Sequence, residues 1–359
     1  MSYNITLKKV ESSRLPDVDF DTIPFGKTFS DHMFVADYID GEWTNLEIIP
    51  FGPITLSPVN LALHYGQSIF EGMKATLSKD GQPLFFRPEM HAKRINASAA
   101  RMCMPDIPED LFLEALHQLV DLDKNWIPPS EGSALYIRPL MFATDEMLGV
   151  KVSSTYKFMI MTGPVGPYYP KPVKLLVESH YVRAAKGGVG EAKTAGNYAA
   201  SLLPARKANE QGYDQVMWMD SAEFKYVQEV GTMNIFFVID GKVITPATDG
   251  AILKGITRNT ILQILKAKGV EVEERLLSID EIAAAYKEGK LDEVFGSGTA
   301  AVIANVSEIK YGDLVMKMKP IETHRIAHLI KKEITDLRSG MLEDTYNWIV
   351  PVEGKTVTA

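Results

Sequence analysis

The apolar pattern of the first half of the chain opens with strands on either side of a turn. The stretch HYGQSIFEGMKATLSKDGQPLFFRP alternates small, apolar and polar residues around Lys79, Asp80 and Gly81. An Asp-Gly pair accepts the positive φ angles that a tight hairpin requires. Further on, SALYIRPLMFA and YKFMIMT are typical of buried strands. This region therefore predicts a sheet that contains at least one hairpin.

Two predicted helices lie between these two groups of strands. Pro88 and Glu89 are suited to the first turn of a helix that continues through MHAKRINASAARMCM, which includes the only cysteine, Cys103. In PEDLFLEALHQLVDL the apolar residues recur every three to four positions and predict a second helix. The apolar neighbours of Cys103 in the first helix predict a buried thiol.

GPVGPYYPKP, residues 163–172, carries four prolines and two glycines and is the strongest linker candidate. The strands VKLLVES, DQVMWMD, NIFFVID and GKVITP follow, and Asp240-Gly241 predicts a second hairpin. Helices are predicted in ITRNTILQILKAKGV, in ETHRIAHLIKKEITDLRSG and in SIDEIAAAYKEG, where Ser278 and Glu281 form a capping box. The pattern predicts an α+β protein with a domain at residues 1–165, a loop at 166–173 and a larger domain at 174–359.

Composition excludes several classes of function. The chain has 359 residues, a formal net charge of −8 and no basic block large enough for a row of phosphates, so nucleic acid is not an expected partner. We find neither a signal-like leader nor an apolar run of membrane-spanning length, and we expect a soluble, cytoplasmic protein. A single cysteine and 7 histidines without metal-ligand spacing predict no metal site.

The glycine-rich stretch AAKGGVGEAKTAGNY contains the most distinctive lysine of the chain, Lys193. A phosphate-binding loop requires the lysine directly after glycine, whereas Glu191 and Ala192 intervene here, which disfavours nucleotide binding. A solvated lysine is the simplest interpretation of the stretch taken alone. A third interpretation is a lysine that forms a Schiff base with pyridoxal phosphate, if the chain also supplies a carboxylate, an anion cup and a phenol.

Candidates for each of these partners follow the lysine. Glu229 precedes an apolar strand, where a buried carboxylate needs a cation. Gly255 lets the backbone approach an anion, and the helix that starts after it favours negative charge. Ser297 and Thr299 lie in a small-residue turn, and Arg94 offers a cation for a phosphate. A strand-end acid, a helix cap, a plain turn and a surface arginine are the alternatives for these features.

Taken together, the motifs resemble those of branched-chain amino acid aminotransferases, which are fold-type IV pyridoxal phosphate enzymes similar to D-amino acid aminotransferase. The resemblance runs from about Phe25 to about residue 350. It rests on KTAGNY, EVGTMN, LKGITR and FGSGTA, in this order, with FGKTFSDHM, HYGQSIFEGMKA, ALYIRPL and GPVGPYY. It implies a two-domain α+β fold with a smaller N-terminal α/β domain and a larger cofactor-binding domain that has a β-barrel-like core.

The resemblance also implies the roles of individual residues. Lys193 is expected to form the internal aldimine with pyridoxal 5'-phosphate and to move the substrate α-proton in a ping-pong reaction. The other expected cofactor contacts are Glu229 on the pyridine nitrogen, Tyr198 on the phenolate oxygen, and Arg94, Ile256, Thr257 and Thr299 on the phosphate. The implied substrates are Leu, Ile and Val with 2-oxoglutarate or glutamate, and the implied assembly is a homodimer.

A substrate pocket is implied as well. The matching positions around an aliphatic side chain are Phe25, Tyr65, Phe70, Tyr136, Tyr168 and Thr232, while the backbone of Thr299 and Ala300 is expected to receive the substrate carboxylate. Arg138 is the matched cation for the distal carboxylate of 2-oxoglutarate. A D-amino acid aminotransferase, an aminodeoxychorismate lyase, a non-catalytic cofactor carrier and a nucleotide-binding module remain alternatives, and the FGKTFSDHM and GPVGPYY regions favour the branched-chain interpretation.

Overall fold

A computed structural model of the chain describes residues 3–166 and 171–354. The strands are β1 Thr6–Leu7, β2 His32–Ile39, β3 Glu42–Pro50, β4 Ser68–Phe70, β5 Met73–Leu77, β6 Pro83–Phe86, β7 Ala134–Ala143, β8 Tyr156–Val165, β9 Val173–Val177, β10 Gln215–Met219, β11 Val227–Val230, β12 Asn234–Ile239, β13 Lys242–Pro246, β14 Val272–Arg275, β15 Leu291–Gly298, β16 Val302–Tyr311, β17 Leu314–Lys317 and β18 Ile349–Pro351. The α-helices are α1 Leu61–Tyr65, α2 Pro88–Arg101, α3 Glu109–Leu122, α4 Ala195–Ala199, α5 Leu202–Glu210, α6 Ile256–Ala267, α7 Ile279–Lys287 and α8 Ile326–Arg338, and short 3-10 turns occupy Leu15–Asp17, Lys124–Trp126 and Ile321–Thr323.

The described residues divide into two compact units. The first contains residues 3–166, 192–195 and 335–354, and the second contains residues 171–191 and 196–334. The C-terminal segment joins the first unit because β18 pairs with β6, with Val350 opposite Phe85. The division predicted from sequence position differs here, since it assigns residues 192–195 and 335–354 to the larger domain. Part of GPVGPYYPKP lies outside the described residues.

One mixed sheet forms the frame of the first unit, in the order β1-β3-β2-β8-β7-β5-β6-β18, with β4 paired to β7. The predicted turn at Lys79-Asp80-Gly81 is confirmed, because β5 and β6 pair antiparallel and Gly81 adopts φ +79°. Helices α2 and α3 cover this sheet and bury their apolar faces, including Ile95, Leu116 and Leu119, in one core. Burial of such side chains stabilises a fold by about 1.5–3 kcal/mol each.

A second mixed sheet organises the second unit in the order β11-β10-β9-β16-β15-β12-β13-β14, with β17 paired to β16. The hairpin at Asp240-Gly241 is confirmed, with φ values of 51° and 76° that match a tight turn between β12 and β13. The predicted cap is also present, since Ser278 Oγ accepts a hydrogen bond from Glu281 N–H at 3.1 Å at the start of α7.

The prediction of a buried Cys103 is wrong. Helix α2 ends at Arg101, and Cys103 adopts a left-handed conformation with φ 54°, which turns the chain out of the helix. The thiol is exposed. Apolar neighbours in sequence predict burial only while the helix continues, and here it stops two residues earlier.

Neither membrane-spanning helices nor clustered metal ligands occur in the described part of the chain. In residues 3–166 and 171–354 no helix is long and apolar enough to cross a membrane. The same ranges contain no cluster of three or more His, Cys, Asp or Glu side chains that could hold a metal ion.

Candidate active site

Lys193 is fixed through its backbone to the frame of the first unit. Its N–H donates to Ser98 Oγ of α2 at 2.9 Å, and its carbonyl accepts from Phe70 N–H of β4 at 3.0 Å. The next residue, Thr194, forms an antiparallel bridge with Ile69. The chain at this point therefore runs antiparallel beside β4. The Lys193 ammonium lies 4.8 Å from the centre of the Phe70 ring.

The environment of Lys193 disfavours its charged form. Burial, assisted by the nearby Arg94 guanidinium, lowers the pKa of Lys193 to about 8, although the Glu71 carboxylate opposes the change. An amine with this pKa is partly neutral close to pH 7. Neutral amines are nucleophiles and proton acceptors, so the site favours both covalent and base chemistry at this side chain.

A fully buried carboxylate organises the cations next to this lysine. Glu71 accepts from Arg94 Nε at 2.7 Å and Nη2 at 2.8 Å, and its Oε2 lies 2.8 Å from His91 Nδ1. Burial alone would raise the pKa of Glu71, but Arg94 and His91 outweigh it and hold that pKa well below its usual range. The arginine predicted to bind a phosphate is thus oriented by a carboxylate that sequence reasoning did not single out.

Four of the predicted substrate residues converge on one face of the first sheet. The rings of Phe25 and Tyr136 meet edge to face at 5.4 Å, and the Arg138 guanidinium lies 4.7 Å over Phe70 and 5.3 Å over Tyr136. Arg138 also donates to the Tyr136 hydroxyl at 2.8 Å. With Met161 and Val165, three of them (Phe25, Tyr136 and Arg138) line a cavity of about 200 Å³ whose walls are mostly apolar.

Gly72 allows the Tyr136 hydroxyl to occupy its position. A Cβ atom at Gly72 would lie 2.5 Å from the Tyr136 hydroxyl oxygen, which is shorter than ordinary van der Waals contact allows. The FEG sequence thus has two separate functions in this structure. Glu71 orients Arg94, and Gly72 leaves room for the phenol that Arg138 contacts.

The predicted acid of the second unit, Glu229, is buried on β11 and contacts a guanidinium, a side-chain amide and a backbone N–H of the described residues. Its Oε2 lies 2.7 Å from Arg183 Nε, and its Oε1 accepts from Asn234 Nδ2 and from Leu253 N–H, both at 3.1 Å. A buried carboxylate with a guanidinium and two further donors is stabilised as an anion. Arg183 is thus a charged partner of a predicted site residue that the sequence motifs did not single out. The requirement for a cation beside a buried carboxylate was the signal that could have found it.

The residues predicted to form an anion cup lie around the start of α6. Gly255 is the N-cap residue and supplies no side-chain cap, and a Cβ there would lie 2.0 Å from Asn234 Oδ1. Asn234 is paired in register with Ser297, whose hydroxyl is buried without a hydrogen-bond partner among the described residues. Helix N–H donors and an unpaired buried hydroxyl fit an anion that would satisfy them. Ile256 and Thr257 form the first turn of α6, as predicted.

The remaining predicted residues occupy several environments. Tyr198 lies half-buried in α4, Thr232 is exposed in the turn between β11 and β12, and Thr299 and Ala300 follow β15 in a half-buried turn. Tyr65 is 45% exposed at the end of α1, and its hydroxyl accepts from Gly149 N–H at 3.0 Å. Tyr168 lies outside the described residues.

Comparison with known proteins identifies the family. The amino-transferase class IV family matches residues 68–309, which is more than half of the chain. The chain belongs to the class IV aminotransferases. One relative is a Bacillus subtilis (strain 168) protein named branched-chain-amino-acid aminotransferase 2. It is 47% identical over 352 residues, which cover 97% of this chain and 97% of the relative. A Staphylococcus aureus (strain MRSA252) relative, named probable branched-chain-amino-acid aminotransferase, is 51% identical over 339 residues and covers 93% of this chain and 94% of its own.

Solved structures agree with this class IV assignment. The branched-chain amino acid aminotransferase from Escherichia coli superposes with a TM-score of 0.73 at 29% identity, and the match covers 90% of this chain and 99% of that one. The resemblance inferred from the motifs and the predicted fold-type IV, α+β fold are both confirmed. Class IV aminotransferases depend on pyridoxal phosphate, so the family match confirms the predicted cofactor.

Proposed function

We propose that this protein transfers an amino group between branched-chain L-amino acids and 2-oxoglutarate, yielding branched-chain 2-oxo acids and L-glutamate in a ping-pong reaction. The observation that carries the proposal is the half-buried Lys193, whose ammonium lies over the Phe70 ring that Arg138, from the wall of the aromatic cavity, also contacts. Burial lowers the pKa of this lysine to about 8. Relatives of 47% and 51% identity, over nearly the full length, carry branched-chain names and support the same substrate class.

The residues present fit pyridoxal 5'-phosphate. Its phosphate would be held by the first-turn N–H groups of Ile256 and Thr257 and by Thr299, and it would satisfy the buried hydroxyl of Ser297. Arg94, held in place by Glu71, would add a cation. When bound, the cofactor supplies an aldehyde for the substrate amine and a ring that withdraws electrons from the substrate Cα.

Lys193 would act at the substrate Cα–H. Because burial lowers the pKa of Lys193 to about 8, its neutral amine can accept the α-proton near neutral pH and return it to the adjacent position. The backbone bonds to Ser98 Oγ and from Phe70 N–H fix the start of the side chain, which limits its reach. Tyr198 would donate to the phenolate oxygen of the cofactor.

Glu229 would face the ring nitrogen. Arg183, Asn234 and the Leu253 N–H keep its carboxylate ionised, and an ionised carboxylate favours a protonated ring nitrogen. A protonated ring withdraws electrons more strongly. The role of Glu229 is therefore electrostatic, and it does not transfer the substrate proton.

The cavity explains how one site could accept two classes of substrate. Phe25, Phe70 and Tyr136 offer an apolar surface to an aliphatic side chain, and burying such a chain is worth about 1.5–3 kcal/mol. Arg138 would receive the distal carboxylate of 2-oxoglutarate or glutamate. The other substrate-binding residues proposed here are Tyr65, Tyr168, Thr232 and the Thr299–Ala300 backbone.

A half-reaction tests this proposal directly. Purified holoenzyme is mixed with one amino acid at a time, and the yellow absorbance of the bound cofactor is followed as it converts to the amine form. We expect L-leucine, L-isoleucine, L-valine and L-glutamate to bleach the band, D-leucine to leave it, and Lys193→Ala to show no more than a trace of turnover. Bleaching by D-leucine alone would assign the chain to the D-amino acid branch. Full turnover of Lys193→Ala would remove Lys193 from the mechanism.

We also infer a homodimer in the cytoplasm. Large apolar side chains are exposed on α1 and on the loop between β7 and β8, including Leu63, Leu148 and Val150, and a partner surface would cover them. An exposed, unpaired Cys103 suits a reducing compartment. Light scattering of the purified protein tests the dimer.

A further inference from the structure

One side of the cavity in the first unit is formed by a segment of chain that belongs to no strand. This wall segment, residues 25–29, precedes β2, and four of its residues line the cavity: Phe25, Gly26, Thr28 and Phe29. The Phe25 ring meets the Tyr136 ring edge to face at 5.4 Å, while 54% of Phe25 stays exposed. The wall segment therefore lies between the cavity and solvent.

Strand β8 carries a row of cavity-lining residues in which one side chain is missing. Met161, Gly163 and Val165 alternate along β8 and all line the cavity. Gly163 lies directly opposite Tyr136 in the β7–β8 register, and directly opposite residues of an antiparallel pair share a face of the sheet. A side chain at position 163 would therefore point to the cavity face, between Met161 and Val165.

The backbone of the wall segment occupies the space that this side chain would fill. A Cβ atom at Gly163 would lie 2.3 Å from the Thr28 carbonyl oxygen and 3.4 Å from Phe29 Cα. Close contacts between an aliphatic carbon and a carbonyl oxygen are about 3.3–3.6 Å long, so the Thr28 carbonyl would have to move by about 1 Å. The clashing atom belongs to the backbone, and no side-chain rotation relieves the clash.

The chain is held firmly just after the wall segment. Ser30 N–H donates to the Thr162 carbonyl at 2.8 Å, and the Thr162 hydroxyl donates to Ser30 Oγ at 2.9 Å; both residues are buried. Strand β2 follows and pairs with β8. Residues 18–29, all within the described part of the chain, belong to no helix or strand. A displacement at Thr28 would therefore be taken up towards Phe25.

We propose that Gly163 is a specificity-determining residue, because its missing side chain lets the wall segment lie against β8 and hold Phe25 over the cavity, so that the site favours long aliphatic side chains over short ones. The proposal rests on the function proposed above, in which the cavity receives the substrate side chain. A side chain long enough to contact Phe25 is removed further from water, and each additional buried CH₂ group strengthens binding by about a factor of four.

The first experiment compares two amino acids whose side chains differ by two carbon atoms. Single-turnover half-reactions of the holoenzyme give a second-order rate constant for L-leucine and one for L-2-aminobutyrate. We expect the wild type to prefer leucine roughly tenfold or more, and Gly163→Ala to prefer it about threefold or less. Gly52→Ala, where the added Cβ meets no atom within 4 Å, should keep the wild-type preference. A partly inactive preparation leaves this ratio unchanged.

A second variant loosens the wall segment without adding an atom beneath it. Thr162→Val keeps the shape of the side chain and removes the hydroxyl that donates to Ser30. We expect its preference for leucine to fall about twofold or more relative to the wild type. In both variants, hydrogen exchange of a peptide that covers residues 20–29 should become faster, as measured by mass spectrometry. Thr162→Val decides the proposal if circular dichroism shows that Gly163→Ala does not fold.

An unchanged preference for leucine in the deciding variant would overturn the proposal, even if both rates fall, because equal losses mean that the contact only supports the fold. A lost preference with unchanged exchange of residues 20–29 would also overturn it, since the added methyl group would then act in the cavity by itself.

Binding without reaction separates this inference from the proposed function. The acids 4-methylvalerate and butyrate carry the same side chains as leucine and 2-aminobutyrate but lack the amine, and calorimetry measures their Kd for the holoenzyme. A wild type that does not react with leucine would contradict the proposed function. The ratio of the two Kd values would still decide the inference, since we expect about tenfold in the wild type and about threefold or less in Gly163→Ala. Equal ratios, or a wild type that binds neither acid, would overturn it.

Discussion

Replacing Glu71 with Gln should show how much the buried charge network beside Lys193 contributes to the free energy of unfolding. The variant keeps the shape of the side chain but removes its charge. Glu71 has no exposed surface, and the Arg94 side chain is only 12% exposed, so the arginine would be left as a buried cation without its counter-ion. Breaking a buried pair from one side costs about 3–5 kcal/mol. Glutamine can still accept one hydrogen bond, so we expect a loss of about 3 kcal/mol, at the lower end of that range.

The assay is urea denaturation followed by circular dichroism, with Glu47→Gln as the matched control. Glu47 also forms a 2.8 Å ion pair, with Lys8, but those side chains are 30% and 57% exposed. Exposed pairs contribute less than about 1 kcal/mol. Equal losses in the two variants would refute the view that the buried network stabilises the first unit.

The same variant tests the electrostatic coupling to Lys193. Glu71 raises the pKa of Lys193 and Arg94 lowers it, so removing the Glu71 charge removes the larger of the two effects that oppose Arg94. The pKa of Lys193 should therefore fall below about 8. Nuclear magnetic resonance titration of the cofactor-free protein, with Lys193→Ala to assign the signal, measures it. An unchanged or higher pKa would show that the two side chains are not coupled as the structure indicates.

Two further substitutions test the other parts of the site. Glu229→Gln should lower kcat about 100-fold or more in both half-reactions, because the ring nitrogen loses the charge that Arg183 stabilises, and an unchanged kcat would mean that another carboxylate does this. Gly72→Ala should displace Tyr136 and raise the half-saturating glutamate concentration about tenfold, whereas Gly52→Ala, which meets no atom within 4 Å, should match the wild type. Equal behaviour of the two alanine variants would contradict the steric argument.

Local sequence determined much of the secondary structure. Asp240-Gly241 forms a hairpin because the two residues accept positive φ, and Ser278 caps α7 because its hydroxyl reaches an N–H three residues on. The apolar spacing of α2 and α3 likewise specifies one buried face for each helix. These features depend on residues within one or two turns of each other, so the sequence alone could specify them.

The motifs also indicated the chemistry, because fixed residue types at fixed spacings are required around one cofactor. They identified the class of the chain, which the comparisons confirm, and they proposed Lys193 and Glu229 as its central groups. The motifs did not supply the partners of these groups. Arg183 precedes the glycine-rich stretch, and Glu71 lies in a quoted motif, yet neither residue type nor spacing marked their roles.

Tertiary structure decided the interactions between distant residues. Glu71 contacts His91 and Arg94, which are 20 and 23 positions away, and Thr76 contacts Arg338 across 262 positions. It also decided exposure, since Cys103 has apolar neighbours in sequence but follows the end of its helix. The energy of a buried charge depends on the groups that folding brings within a few ångströms of it, and one-dimensional spacing does not specify those groups. Local patterns therefore determined the elements and the family of this protein, and only the packed fold determined which charges meet.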